Sequence, residues 1–328
     1  MIAFTTVVVT YADRGHLLAK VVSAAVDAGS DHVIIIDNGS AEASKKIINE
    51  LPSLYLSTQF TIHTNERNEG SAIAFSTGMD IASSDKNKNE MVLFLDDDNY
   101  PEDGSVQKAL QYAEASGDSK MVLFLMREDR PHYREYVRSR DMQVLLGKEN
   151  SFMAFTLKDY LNKFKQKIFG KGKSQELVYY PFPLMPVPCG PYGGMLTKKS
   201  ILMDGVRPMK EMVLYFDDTK YTYDLDKSGV SLYIIPECII RDIDDSWSAK
   251  KTSKLSSPLF EADEFKVSHT IRNRVYLERQ IIVTNKFSYA LNIASFMSIT
   301  LVKAITSGNL GRYFKLIGYI REGFNFGK

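Results

Sequence analysis

The chain has 328 residues, 44% of them hydrophobic, which is enough to bury the core of one large α/β domain with extra elements or of two domains. Its 41 Lys and Arg balance 40 Asp and Glu to a formal net charge of +1, so nothing drives the whole molecule toward nucleic acid, although a local basic run such as Lys163–Lys173 suits an anionic surface. Only two cysteines, Cys189 and Cys238, are present, which excludes a disulfide framework and a thiolate zinc cluster and fits a reducing cytoplasm.

The start, MIAFTTVVVTYADR, lacks the charged leader and the small-residue cleavage site of a signal peptide and reads as structure. Phe4–Thr10 is β-branched and apolar, hence a strand, and Tyr11–Gly15 is its polar exit loop. Over His16–Ala28 the apolar residues Leu17, Leu18, Val21, Val22 and Ala25 fall at helical spacing, and Gly29 stops the run. His32–Ile36 is a second buried strand that ends in Asp37, Asn38, Gly39 and Ser40. Strand, helix and strand in so short a stretch make the βαβ unit of a parallel sheet. Asp37 then stands where nucleotide-binding α/β folds place a carboxylate for ribose or base, and the same residues also read as a plain turn before a helix capped by Ser40. The first strand-to-helix turn, TYADRG, has one glycine instead of G-x-G-x-x-G, which removes support for a dehydrogenase.

Phe60–Thr64 predicts a short strand, and Asn65–Gly70 a loop into a small-residue helix over Ser71–Ala82. Met91–Leu95 is an apolar run that stops at Asp96, Asp97, Asp98 and Asn99, with Tyr100 and Pro101 preventing its continuation. It reads as a buried parallel strand whose carboxyl end carries crowded carboxylates. Such carboxylates repel one another unless a cation sits among them, and Mg²⁺ or Mn²⁺ needs only one or two of them plus water and substrate phosphate oxygens. The other reading is an exposed acidic turn.

Met121–Met126 repeats the apolar strand and is followed by Arg127, Glu128, Asp129 and Arg130. From Arg130 to Lys173 the chain is basic and aromatic and reads as a surface excursion. The prolines of Pro181–Pro191 exclude a helix there. In Pro191–Met195 two glycines let a bulky group approach the backbone, or simply make a turn. Asp217 and Asp218 start a helix through Tyr221 and Leu225 to a Gly229 stop. Ser231–Ile235 is a strand, and Ile239–Asp242 makes a third acidic strand end. The longest uncharged stretch, between Lys286 and Lys303, is shorter than the ~20 apolar residues of a spanning helix and predicts a core or interfacial one.

In order and spacing, VVVTY with IIIDNGS, NERNEGSAIAFSTGMDIA, LFLDDDN, PYGGM, the FDD pair and IIPECIIRDID resemble the inverting glycosyltransferase superfamily 2 with the GT-A fold, over about residues 4–250. The likeness is greatest to bacterial galactofuranosyl- and rhamnosyltransferases, whose Arg-Asn helix HTIRNRVYLER at His269–Arg279 resembles. It implies an α/β GT-A fold, Rossmann-like, with a mostly parallel central sheet flanked by helices in residues 1–250, and a C-terminal helical extension in residues 251–328. It also implies that Thr10, Tyr11 and Asp37 contact the nucleotide, that Asp97 lies near the donor sugar, and that Asp96 and Asp98 hold Mn²⁺ or Mg²⁺ with the diphosphate. Asp218 falls on the catalytic base, with Asp217 beside it. Asp242 falls where the family often has a metal-binding His, which implies a third oxygen ligand for the hard cation, and Arg241 beside it could equally neutralise it. Lys220 and Asp224 replace an acid and a base of the family pattern, keeping a charge pair in reversed sense or marking different acceptor contacts.

The implied activity is inverting transfer of a sugar from a nucleoside-diphosphate donor to a saccharide or lipid-linked glycan in cell-surface polysaccharide synthesis. UDP-galactofuranose is the first choice of donor and dTDP-rhamnose the second. The rivals are a nucleotidyltransferase, which wants a Gly-rich basic N-terminal loop, a phosphatase, which puts its Asp-x-Asp strand first, and a non-catalytic carbohydrate-binding scaffold. Aromatic and basic residues mixed along Leu310–Lys328 suit a membrane interface, which implies a cytoplasmic protein peripheral to the inner membrane face, or else a helical subdomain or homo-oligomer contact.

Overall fold

A computed structural model describes residues 2–169, 183–243 and 257–327. The division between residues 250 and 251, the end of the basic run at Lys173 and the start of the proline segment at Pro181 lie outside them. Among the described residues, 2–137, 183–213 and 217–243 form one compact unit, and 138–169, 214–216 and 257–327 a second.

The first unit is built on a nine-stranded sheet. Its strands are β1 (Phe4–Ala12), β2 (His32–Ser40), β3 (Gln59–Asn65), β4 (Met91–Asp96), β5 (Asn99–Pro101), β6 (Met121–Arg127), β7 (Met185–Pro186), β8 (Met195–Lys198) and β9 (Ser231–Asp242). They lie in the order β3-β2-β1-β4-β8-β6-β9-β5, with β7 on β9. Pairing is parallel between β1 and β2, β1 and β4, β2 and β3, and β6 and β9, while β8, β5 and β7 run antiparallel to their neighbours. This is the mostly parallel α/β sheet that the sequence predicts.

Valine and isoleucine runs form the central strands because β-branched side chains pack well on a pleat covered on both faces. Val8, Ile35, Leu93 and Leu95 share one core with Leu18, Val21 and Val22 of the helix Gly15–Asp27 and with Ala109 and Leu110 of the helix Ser105–Ser116. On the other face Val7 and Ile36 meet Gly78 of the helix Ser71–Ser83, where a Cβ would lie 2.5 Å from Val7. Each fully buried aliphatic side chain contributes about 1.5–3 kcal/mol relative to exposure.

Several boundaries differ from the sequence expectation. β2 continues through Asn38 and Gly39 to Ser40, because Asp37 pairs with Thr10, Ser40 with Ala12, and Asn38 with Asn65, while Gly39 takes φ +78° within the strand. The following helix, Glu42–Leu54, is therefore capped by Ala41, with no side-chain bond, and not by Ser40. Tyr100 and Pro101 do not end the acidic segment in a turn but form β5 against Ile240 and Arg241. The last two predicted strand pieces are one strand, β9, whose register on β6 shifts between Ile235 and Ile239 to pass Pro236.

The second unit packs the helices Glu264–Ile281, Lys286–Thr306 and Leu310–Asn325 around Val267, Ile271, Val275, Tyr289 and Leu316. Phe152 joins that core, so the basic stretch after Arg130 is more than a surface excursion. Glu278 is buried there and accepts from Arg274 Nε at 2.7 Å, Tyr289 Oη at 2.9 Å and the Met153 amide at 2.9 Å. Asn273, in the His269–Arg279 segment, is fully buried and its Nδ2 donates to the carbonyls of Leu214 and Tyr215, each at 2.9 Å.

Candidate active site

The carboxyl ends of β1, β2, β4, β6 and β9 meet at one end of the sheet, the position at which open α/β sheets bind ligands. Register explains the juxtaposition: Val9 pairs with Asp96 on one side of β1, and Thr10 with Asp37 on the other. Thr10 is fully buried and its hydroxyl donates to Asp97 Oδ2 at 2.8 Å. Asp37, also buried, accepts from the Ser40 amide at 2.8 Å. Tyr11 is exposed, with the Arg14 guanidinium 5.5 Å from its ring centre.

The three aspartates after β4 have different surroundings. Arg14 donates from Nε to Asp97 Oδ1 at 2.8 Å and from Nη2 to Asp98 Oδ2 at 2.7 Å. Burial outweighs that guanidinium and pushes the Asp97 carboxyl up to about 6. Burial and the neighbouring Asp96 charge push Asp98 up to about 6 as well. Asp96 accepts from Asn99 Nδ2 at 2.8 Å and lies 3.8 Å from Arg127 Nη1. Its pKa is raised by burial against the pull of Arg127, with smaller contributions from Asp97 and Asp218.

Asp242 is bound by two guanidinium groups, Arg127 on Oδ1 and Arg130 on Oδ2. Its neutralisation was foreseen, but the partner was not: Arg241 turns instead to Glu102 at 2.6 Å and Glu128 at 2.9 Å. Gly193 proves to be a site of close approach, yet what approaches is this chain's own acidic strand end. A Cβ there would lie 2.6 Å from both Asp96 Oδ2 and Asn99 Nδ2.

Asp217 and Asp218 open the helix Asp217–Lys227. Ser71 Oγ, at the start of the helix Ser71–Ser83, donates to Asp217 Oδ2 at 2.9 Å. Asp218 Oδ1 accepts from the Thr219 amide at 2.6 Å and from its hydroxyl at 3.2 Å. A helix N-terminus favours carboxylates. Burial wins over that dipole: with the Asp218 charge adding to it, burial pushes Asp217 up to about 8, and burial also raises Asp218. Lys220 pairs with Asp224 one turn on, so the local charge pair is kept in reversed sense. The chain reaches Asp217 through a bend in which Val213, Tyr215 and Phe216 all have positive φ, at 63°, 65° and 63°.

The acidic residues thus converge, and three arginines that the sequence reading left without a role stand among them. The available signal for Arg14, Arg127 and Arg130 was electrostatic: carboxylates this crowded and buried need cations nearby. Asn38 was missed too. Its amide donates to Asn68 Oδ1 at 3.0 Å and accepts from Asn65 Nδ2 and the Glu69 amide, each at 3.0 Å, so it pins the Asn65–Gly70 loop.

Among the described residues no three His, Cys, Asp or Glu side chains form a metal cage. These side chains therefore offer no closed cage of three or more His, Cys, Asp or Glu ligands. The arrangement fits a small hard cation that takes one or two carboxylates and completes its shell with water and phosphate, since Asp96 and Asp98 still repel each other despite Arg14 and Arg127.

Residues 5–175 match the family model described as Glycosyl transferase family 2. No curated protein sequence matches the chain significantly. Among solved structures, GalNAc-T7 with UDP, GalNAc and Mn²⁺ is 14% identical with a TM-score of 0.53, covering 85% of this chain and 48% of that one, so the chain spans about half its length. The mannosyltransferase PcManGT from Pyrobaculum calidifontis, in complex with GDP-Man and Mn²⁺, is 10% identical with a TM-score of 0.51, covering 99% and 88%. At such identities the likeness is one of fold, and it agrees with the α/β architecture described above.

Proposed function

Because the chain belongs to glycosyl transferase family 2, we propose that it moves a sugar from a nucleoside-diphosphate donor to a hydroxyl of a saccharide or lipid-linked glycan, with inversion at the anomeric carbon. The observation that carries this reading is the carboxyl end of the sheet, where Asp96 closes β4 and the Arg127 guanidinium links it to Asp242 at the end of β9. The two solved relatives carry Mn²⁺ with a uridine or guanosine nucleotide.

On this reading Asp96 and Asp98 hold Mn²⁺ or Mg²⁺, and Thr10, Tyr11 and Asp37 line the nucleotide side. A cation bound there neutralises the diphosphate leaving group. Asp97, tied to Thr10 and Arg14, keeps the loop after β4 in place beside the donor sugar. Asp242 serves through Arg127, holding that guanidinium next to Asp96.

Asp218 removes the acceptor hydroxyl proton as its oxygen bonds to the anomeric carbon. The bond from that carbon to the diphosphate oxygen breaks, and the nucleoside diphosphate departs with the electron pair. Asp217, with its carboxyl raised to about 8, stays largely protonated at neutral pH and so spares Asp218 a second negative neighbour.

UDP-galactofuranose is the favoured donor and dTDP-rhamnose the second, both on family likeness. The test is a thermal-shift panel of nucleoside-diphosphate sugars with Mn²⁺, Mg²⁺ or chelator, followed by release of nucleoside diphosphate with mixed glycan acceptors. Metal-dependent stabilisation by one donor with turnover supports the reading, and a protein indifferent to every donor with either metal refutes it.

A further inference from the structure

The helix Lys286–Thr306 carries apolar side chains outward as well as inward, where Tyr289, Met297 and Ala304 join the core. Its inward positions include Asn292 and Thr300, and Asn292 bonds the Leu157 amide and the Asn150 carbonyl, each at 2.8 Å. Outward, Phe287, Leu291, Ala294, Ser298, Val302 and Ile305 succeed one another at steps of three and four residues and form one stripe about 27 Å long. No exposed position between Phe287 and Ile305 carries a charge. Phe287 is 79% exposed, and Val302 and Ile305 are 61% exposed. At 21 residues the helix extends beyond the uncharged stretch between Lys286 and Lys303 and has the length and apolarity of a membrane-crossing helix, with only a minor part of it buried, at Tyr289, Asn292, Met297, Thr300 and Ala304.

The next helix, Leu310–Asn325, repeats the pattern with Leu310, Phe314 and Ile317 exposed at the same spacing and Arg321 next in line. An open cavity of about 520 Å³ lies beside it, lined by Arg272, Arg321, Glu322, Gly318, Asn325 and Phe326. Over residues 286–327 the charged side chains are Lys286, Lys303, Arg312, Lys315 and Arg321 against Glu322; Lys315 and Arg312 lie 2.6 Å and 3.8 Å from Glu264, which leaves Lys286, Lys303 and Arg321 as the cations bordering the stripe. An exposed uncharged apolar stripe bordered by cations is the composition of a helix that lies in the headgroup region of an anionic bilayer. A self-association seam has no need of that excess of one sign.

We propose that the helices Lys286–Thr306 and Leu310–Asn325 form a surface that docks on an anionic lipid bilayer, with the apolar stripe in the headgroup layer and the basic residues on lipid phosphates. The proposal stands whether or not the chain is a transferase, since its test reads lipid binding and not turnover. The full chain is sedimented with phosphatidylglycerol–phosphatidylcholine vesicles and with pure phosphatidylcholine vesicles at low and high salt. Binding to the anionic vesicles, weakened by salt, is expected. Phe287→Ser with Ile305→Ser should weaken it by about tenfold or more, and Lys286→Gln and Arg321→Gln by about fivefold each. If the double serine variant melts early, Phe314→Ser carries the same expectation from a separate helix. Absence of binding to anionic vesicles overturns the proposal. So does a chain that is dimeric by sedimentation velocity and becomes monomeric in the serine variants, because the stripe is then covered by a second copy.

Discussion

Arg127 donates to Asp242 through one terminal nitrogen while the other lies 3.8 Å from Asp96, so one buried guanidinium spans the ends of β4, β6 and β9. Removing it takes from Asp96 and the more buried Asp242 the cation they share. Breaking a buried pair costs roughly 3–5 kcal/mol, and because Arg130 still holds Asp242 we expect Arg127→Met near the lower end. Arg127→Lys should recover little, since an ammonium cannot reach in two directions as a planar fork does. Urea unfolding of both variants measures this, and a lysine variant as stable as the parent contradicts it.

Asp218→Asn should lower kcat by about 10²–10⁴ while donor affinity stays within about twofold, since a general base acts on the acceptor proton and not on the diphosphate. Donor titration by calorimetry beside steady-state kinetics separates the two quantities. A parallel collapse of both would assign Asp218 to donor binding.

Asp217 gives a stability signature whose sign follows from its burial. Its carboxyl titrates at about 8 in the folded chain against an ordinary 3.8, so between those values the folded state keeps a proton that the unfolded state has lost. The stability this contributes is full below about pH 4 and is lost as pH rises toward 8. Asp217→Asn stays neutral throughout, so its Tm relative to the parent should climb across that window. Parallel Tm curves from pH 4 to 9 would show that Asp217 is ionised in the folded protein.

Gly193→Ala tests how tightly the acidic strand end is packed. The added methyl must displace Asp96 or Asn99, at a cost of about 1–3 kcal/mol. Donor binding in the presence of metal should fall with it. Gly311→Ala, in the helix Leu310–Asn325 where a Cβ meets nothing within 4 Å, is the control and should leave donor binding unchanged and stability equal or higher by up to about 1 kcal/mol.

What could be read before the coordinates followed from local chemistry. The VVV, III and VLFL runs could only be buried strands, their order gave a parallel sheet, and parallel strands place their carboxyl ends together, which puts Asp96 of β4 and Asp242 of β9 at one end of the sheet. The arginines could not be read. Which base meets which acid depends on inter-strand register and on side-chain reach, and Arg14 is 83 residues from Asp97. The continuation of β2 past Asn38 escaped for a related reason: a positive-φ glycine reads as a turn until a neighbour on each side supplies the hydrogen bonds that keep it in a strand. The outward stripe of Lys286–Thr306 was hidden because apolar content alone does not say which side of a helix faces inward.

The bend ahead of Asp217 has an evolutionary consequence. Three side-chain-bearing residues in a conformation suited to glycine cost on the order of 1–3 kcal/mol each. A selection of this chain for heat tolerance alone should therefore recover glycine or asparagine at positions 213, 215 and 216. Survivors of that selection should be hardier, having traded a taut bend for a slack one.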